Sequence, residues 1–166
     1  EGGRCKFSGS PTEEWGVTTL EREIPGEDFH RFEATLIPQR LGAEKPTYEC
    51  GVVLYSYQGS GLGIGLDTAG QLKVGQVSER DMNRDMTLGW QPVRTPVAIP
   101  AEITLRFERR TKDGNSQLEV SLYDPAKKEF VVIVQNQSMM LPAGPKRDLK
   151  LSFFGRGWKK RPFTFF

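Results

Sequence analysis

Apolar and polar residues alternate in three runs between residues 103 and 134, and short groups of Gly, Asn, Asp and Pro separate the runs. The apolar positions are Ile103, Leu105 and Phe107, then Leu118, Val120 and Leu122, then Phe130, Val132 and Val134. A period of two residues puts the apolar side chains of each strand on one face. The stretch therefore predicts an antiparallel meander with one buried face.

The same period predicts further short strands on both sides of this meander. They cover residues 15–24, 29–37, 48–57, 61–66, 72–77, 92–99, 149–154 and 163–166. The glycine-rich run 61–66 is followed by the turn 67–70 and a second strand, whereas a phosphate-binding loop needs a helix there, so it predicts a hairpin. Eleven or twelve short strands without a convincing helix predict an all-β fold, a two-sheet antiparallel β-sandwich or jelly roll.

Residues 48–57 are apolar on both faces, which is typical of a strand in the middle of a sheet. Cys50 and Val52 share one face, and Tyr55 and Tyr57 lie on the other. A concave sheet face that carries tyrosines can hold an extended ligand. Tyr55 and Tyr57 are therefore candidate ligand-binding residues.

Two loops carry the remaining binding candidates. Residues 78–91 show no strand periodicity and contain Arg84 and Trp90, and residues 155–162 form a basic segment around Arg156 and Trp158. Long loops in compact domains are often functional, and tryptophan side chains on loops can stack on a sugar ring. Two alternatives stay open: either tryptophan can plug an end of the sandwich, and the basic segment can be a solvated rim.

The order of these strands resembles the concanavalin A-like lectin/glucanase superfamily, particularly its laminin-G-like members. The resemblance rests on the strand 29–37, the runs GVVLYS and GLGIGLDTAGQLKVG, the long loop, and ITLRFERRTKDGNSQLEVSLYD. It covers most of the chain from residue 29 onward and contains no diagnostic peptide. It implies a jelly-roll sandwich that binds glycans, mediates adhesion or accompanies a secreted hydrolase or lyase.

Length and charge limit the partners. The 166 residues suit one domain, residues 1–166, with a sizeable core. The net charge of +2 excludes an overall nucleic-acid-like excess, although residues 146–161 carry seven basic residues against one acidic residue. That basic segment can meet an acidic glycan or another domain of the same chain. No apolar run reaches membrane-spanning length, so the protein is either cytosolic or exported with its signal peptide already removed. The resemblance implies the second, with a secreted, periplasmic or cell-surface location.

Cysteine, histidine and carboxylate positions offer little catalytic chemistry. Cys5 and Cys50 allow one disulfide or two free thiols. His30 is the only histidine, and it shares its predicted face with Phe32, which favours a structural role. A glucanase-type carboxylate motif is absent, and Glu21 and Glu23 are expected on the solvated side of an edge strand.

A calcium ion is the one metal that the sequence leaves open. Asp81, Asn83 and Asp85 are spaced as alternate oxygen ligands, but the glycine and the distal glutamate of an EF-hand loop are missing. A solvated loop is the alternative. No other cofactor is expected.

Together these patterns predict a noncatalytic module that binds carbohydrate, including acidic carbohydrate, or that accompanies a secreted glycan-processing protein. A hydrolase or lyase with dispersed acid/base residues is one alternative. A structural module between domains is the other.

Overall fold

The computed structural model describes most of the strand-forming chain. The described residues are 7–9, 15–26, 29–38, 48–56, 59–78, 90–95, 99, 101–112, 115–136, 148–158 and 163–165. Side chains are described for these residues except 7–9, 15–18, 112, 115–116, 136, 158 and 163–165.

The described residues form strands and turns, and none of them is helical. The strands are β1 Phe7–Gly9, β2 Trp15–Ile24, β3 Arg31–Leu36, β4 Tyr48–Tyr55, β5 Ser60–Leu66, β6 Leu72–Ser78, β7 Gln91–Pro92, β8 Ile103–Lys112, β9 Asn115–Asp124, β10 Glu129–Asn136, β11 Leu149–Trp158 and β12 Phe163–Phe165. Within these described ranges, no helix is long and apolar enough to cross a membrane.

The strands make two main antiparallel sheets and one small one. Six strands follow the order β2-β11-β4-β5-β6-β7, four follow β10-β9-β8-β3, and β1 pairs with β12. The all-β, two-sheet antiparallel β-sandwich predicted from the sequence is confirmed. In the small sheet, Phe7 of β1 lies opposite Phe165 of β12.

The core fills the space between the two main sheets. Its fully buried side chains alternate along β4, β5, β8 and β9 and include Val52, Ile64, Leu105, Phe107 and Val120. Because successive residues of a strand point to opposite faces, this alternation leaves a second set of positions on the outward face of each sheet. Any ligand site on a sheet must use those outward positions.

Several sequence predictions are confirmed by the register. β8, β9 and β10 form the predicted meander, β5 and β6 form the predicted hairpin, and β4 lies between β11 and β5 with every residue buried. β2, which carries the exposed Glu21 and Glu23, is an edge strand as predicted.

The third run of the meander was predicted to bury Phe130, Val132 and Val134 on one face, and this is wrong. The pairing of β10 with β9 shifts by one residue between Val132 and Val134. Such a bulge exchanges the two faces of a strand. Consequently Val132 is 43% exposed, and Phe130 lies opposite Tyr123 on the outward face.

Two other boundaries differ from the prediction. Residues 155–158, predicted as part of a basic loop, continue β11, which pairs with β2 and β4 along this stretch. His30 was predicted on an apolar strand face, but it is exposed and precedes β3, while Phe29 is buried instead. The predicted strand 92–99 is wrong over its described part, because β7 ends at Pro92 and residues 93–95 and 99 are not in a strand.

Candidate functional site

The outward face of the six-stranded sheet carries a second apolar cluster. Val53 and Tyr55 of β4 pack there with Val77, Trp90 and Phe154, on the side opposite the core between the sheets. We call this side, with the neighbouring polar positions of β2 and β11, the six-strand face. Tyr55 is 1% exposed and Trp90 is 6% exposed. Tyr55 and Trp90, two of the four predicted aromatic candidates, are therefore packed within the domain itself.

Glycines on β5 and β6 explain why Trp90 can lie so close to the sheet. A Cβ atom added at Gly63 or Gly75 would overlap the Trp90 ring. The ring also meets Phe154 edge-on, with 6.0 Å between the centroids. The glycine-rich run is thus a strand whose bare backbone accommodates an indole, and Trp90 covers it.

A polar group lies beside Tyr55 on the same face. Lys150 Nζ is 3.4 Å from Glu21 Oε2 and 5.3 Å from the centroid of the Tyr55 ring. The Ser152 hydroxyl donates to Glu21 Oε1 at 3.4 Å. Glu21 was predicted as a solvated side chain, and its partial exposure of 40% agrees while its contacts tie it to β11.

Arg156, predicted as a ligand-binding residue on a loop, is a strand residue that is 2% exposed. Its guanidinium Nη1 is 3.8 Å from Glu49 Oε2, across the β11–β4 pair. An ion pair this deep serves the fold first, because each charge requires the other as compensation. Arg156 shares the six-strand face with Tyr55, but both side chains are covered.

Cys50 lies on the opposite side of β4 from Glu49, within the core. Its thiol is free and 0% exposed. Burial raises the pKa of the Cys50 thiol to about 12, and the nearby Glu49 carboxylate adds to the rise. Cys50 is thus the buried, unreactive thiol that was one of the two alternatives from the sequence.

The remaining predicted site residues fall outside what the structure describes. Tyr57 and Arg84 are outside the described residues, and so are the predicted calcium ligands Asp81, Asn83 and Asp85. Trp158 belongs to β11 by its backbone, and its side chain is not described. Among the described side chains, no group of three His, Cys, Asp or Glu residues could hold a metal ion. The calcium site and the roles of these residues stay predictions.

The four-stranded sheet presents a different outward surface, which we call the four-strand face. Its outward positions on β3, β8, β9 and β10 are Arg31, Glu33, Thr35, Thr104, Arg106, Glu108, Arg110, Gln117, Glu119, Ser121, Tyr123, Phe130, Val132 and Gln135. All of these except Ser121 are half-buried or exposed. This surface is open where the six-strand face is covered.

Arg106 is the centre of the four-strand face. Its Nε and Nη2 atoms both donate to Glu33 Oε1, each at 2.9 Å. Its Cζ atom lies 3.5 Å from the centroid of the Phe130 ring. The small Ser121, opposite Arg106 on β9, leaves room for the guanidinium to reach across to β10. A guanidinium held at its edge by a carboxylate and on its face by a ring is fixed in orientation.

Tyr123 completes an aromatic platform beside this group. Its ring is tilted by 57° against Phe130, with 5.2 Å between the centroids. Both rings are half-buried, so each packs on the sheet and still meets solvent. Elsewhere on the same face, the hydroxyls of Thr35 on β3 and Thr104 on β8 lie 2.8 Å apart.

Sequence reasoning missed this platform. Phe130 was assigned to the core because its alternation with Val132 and Val134 was read without the bulge. One signal was available: Tyr123 directly follows Leu122 and so falls in the polar phase of β9. An aromatic residue in the polar phase of a strand indicates an aromatic side chain on the solvent face.

Comparison with known proteins assigns the chain to no family. No protein-family model matches the chain, and no curated protein matches it. A solved structure of the CBM2 module of the evolved Dit protein of Lactobacillus casei BL23 phage J-1 is similar to it. The match covers 89% of this chain and 67% of that chain, with 15% sequence identity and a TM-score of 0.47. A likeness this distant carries no argument about a ligand, so the side-chain geometry must carry the function.

Proposed function

We propose that the chain is a noncatalytic β-sandwich module that binds carbohydrate through the four-strand face. The observation that carries the proposal is the Arg106–Glu33–Phe130 group, with Tyr123 beside it. It combines flat apolar surface with fixed donors and acceptors on an open sheet. A sugar has the matching chemistry, since its C–H edges pack on planar groups and its hydroxyls both donate and accept.

The geometry suits a weak, specific contact with an extended ligand. An exposed sheet face is long and flat along its strands, whereas a small-molecule site is concave. Arg106 and Glu33 already hold each other, so little side-chain entropy is lost when a hydroxyl group binds between them. A preformed platform of this kind needs no rearrangement of the backbone.

Three further expectations from the sequence are part of this proposal. Secretion, an accessory role in a glycan-processing protein, and a concanavalin A-like jelly-roll order rest on the order of hairpins in the sequence. Tyr55, Trp90 and Arg156 stay candidate ligand residues, but their burial favours the four-strand face as the first place to test.

Affinity gel electrophoresis against a panel of soluble polysaccharides tests the proposal. We expect retardation of the native chain by at least one glycan, and a loss of about tenfold or more in affinity for Phe130→Ala and for Arg106→Gln. Lys150→Gln on the six-strand face is the matched control, because it also neutralises a cation that lies over an aromatic ring. Retention by no glycan, or equal losses for Lys150→Gln and Arg106→Gln, would contradict it.

The hydrolase alternative has one observation in its favour. Glu108 and Glu119 lie opposite each other on the four-strand face, and Arg110 Nη2 contacts both, at 3.0 and 3.5 Å. A glycosidase needs a pair of carboxyl groups on one surface. Release of reducing sugar that is abolished by Glu108→Gln or Glu119→Gln would establish it over a binding role.

A further inference from the structure

The described arginines and glutamates of the four-strand face are equal in number and lie within ion-pair distance of one another. Its described side chains include three arginines and three glutamates, so its formal charge is zero. This balance differs from residues 146–161, where seven basic residues face one acidic residue. The proposed platform is therefore neutral on a chain that has a strongly basic segment elsewhere.

Each of these arginines has a glutamate of the same face within ion-pair distance. Arg106 is 2.9 Å from Glu33, Arg31 is 3.6 Å from Glu33, and Arg110 is 3.0 Å from Glu108. A carboxylate or sulfate on a ligand would have to displace one of these glutamates or approach it closely. Like charges placed together across an interface oppose binding, which lowers the affinity for acidic ligands.

An uncharged hydroxyl group faces no such competition. It can donate to a glutamate oxygen and accept from the neighbouring arginine at the same time, so the ion pair stays intact. The uncharged side chains of Thr35, Thr104 and Tyr123 extend the same kind of hydrogen bonding across β3, β8 and β9.

We infer that the glycan bound by the four-strand face is neutral, and that the Arg106–Glu33 pair excludes uronate-containing and sulfated glycans. The inference rests on the proposed function and names its ligand class. It differs from the expectation that the basic segment draws an acidic glycan to this protein.

The test compares neutral and acidic polysaccharides with the full chain and two variants. The probes are dextran, galactomannan, arabinoxylan and mixed-linkage β-glucan against alginate, polygalacturonate and chondroitin sulfate. We expect at least one neutral probe to bind about tenfold or more tightly than every acidic probe. Glu33→Gln keeps the shape of the side chain and removes its charge. We therefore expect this variant to lower, several-fold, the ratio of the affinity for the neutral probe to the affinity for the acidic probes.

Glu21→Gln on the six-strand face is the matched control, because it changes the net charge of the chain by the same amount. We expect Glu21→Gln to leave the ratio of neutral-probe affinity to acidic-probe affinity unchanged. Tighter binding of the acidic probes by the native chain, or an equal change of the ratio in both variants, would overturn the inference while leaving carbohydrate binding intact. Binding of neither class would instead overturn the proposed function, and the inference with it.

Discussion

Both outward faces of the sandwich place a basic side chain over an aromatic ring, but the two groups are built differently. On the four-strand face the Arg106 guanidinium lies 3.5 Å from the centroid of Phe130. On the six-strand face the Lys150 ammonium lies 5.3 Å from the centroid of Tyr55. A planar guanidinium at contact distance is fixed, whereas an ammonium at the longer distance is a point charge on a flexible stem.

The two rings also differ in what covers them. Tyr55 is 1% exposed and belongs to a cluster that includes Trp90, whereas Phe130 is half-buried and meets solvent. A cation beside an aromatic ring therefore contributes to packing on the six-strand face, whereas on the four-strand face it remains accessible to a ligand. What separates a candidate site from packing here is whether the ring is buried within such a cluster, and not the residue type of the ring.

Removal of Trp90 is the strongest way to break this comparison. We expect Trp90→Ala to lower the free energy of unfolding by about 3–5 kcal/mol, because removal of the buried indole leaves a cavity over β5 and β6. Gly75→Ala should also destabilise the native chain, since the new methyl group overlaps the ring. In the Trp90→Ala background, Gly75→Ala should lower the free energy of unfolding much less, because the indole ring that the methyl group would overlap is then absent. Chemical denaturation of the four proteins measures the cycle.

Gly65→Ala supplies the control for this cycle. A Cβ at Gly65 would meet the backbone of Cys50 and Gly51, so its penalty should be the same with or without Trp90. A stable Trp90→Ala variant that has lost glycan binding would contradict the comparison, because Trp90 would then be the ligand platform.

The ionisation and reactivity of the Cys50 thiol measure whether the core side of the six-stranded sheet is shielded from solvent. Its pKa of about 12 in the folded chain lies above the ordinary value of 9.0. The thiol is neutral in both states below pH 9, and above that the unfolded chain ionises first. Its contribution to stability is therefore present below pH 9 and is lost as the pH rises toward 12, up to about 4 kcal/mol for three pKa units.

We expect the native chain to lose more stability between pH 9 and 12 than Cys50→Ala, which lacks the group. Denaturant unfolding at a series of alkaline pH values measures the difference. Below pH 9, the Cys50 thiol should react with a thiol reagent only on unfolding. Parallel pH profiles for the two proteins, or fast labelling of Cys50 in the folded state, would show that the sheet opens at β4.

Much of the fold was predictable because the pattern of the sequence repeats the pattern of the sheet. Alternation gives the core faces of β8 and β9, and the two-sided apolar run gives β4 at the centre. The residues around the bulge in β10 were not predictable in the same way. The run from Phe130 to Val134 is apolar at every position, so its composition is compatible with either phase.

The candidate site was harder to predict than the fold. Residues 155–158 looked like a loop because two glycines flank the basic Arg156, but Gly155 and Gly157 are buried strand positions opposite Cys50 and Tyr48. The contact of Arg106 with Phe130 spans three strands. Local periodicity shows which face a residue occupies, but it does not show which side chains reach each other across a sheet.

The smallest expected effect distinguishes the two cation groups directly. A double-mutant cycle of Arg106→Met and Glu33→Gln should give a coupling energy of about 1 kcal/mol, because two donors share one carboxylate oxygen at 2.9 Å. The matched cycle of Lys150→Met and Glu21→Gln should give less than about 0.5 kcal/mol, since that pair is longer, at 3.4 Å, and an ammonium lacks the planar fork of a guanidinium. Thermal or denaturant unfolding measures both cycles. Equal coupling in the two cycles would mean that Arg106 is no better fixed than Lys150, and the preformed site on the four-strand face would lose its physical basis.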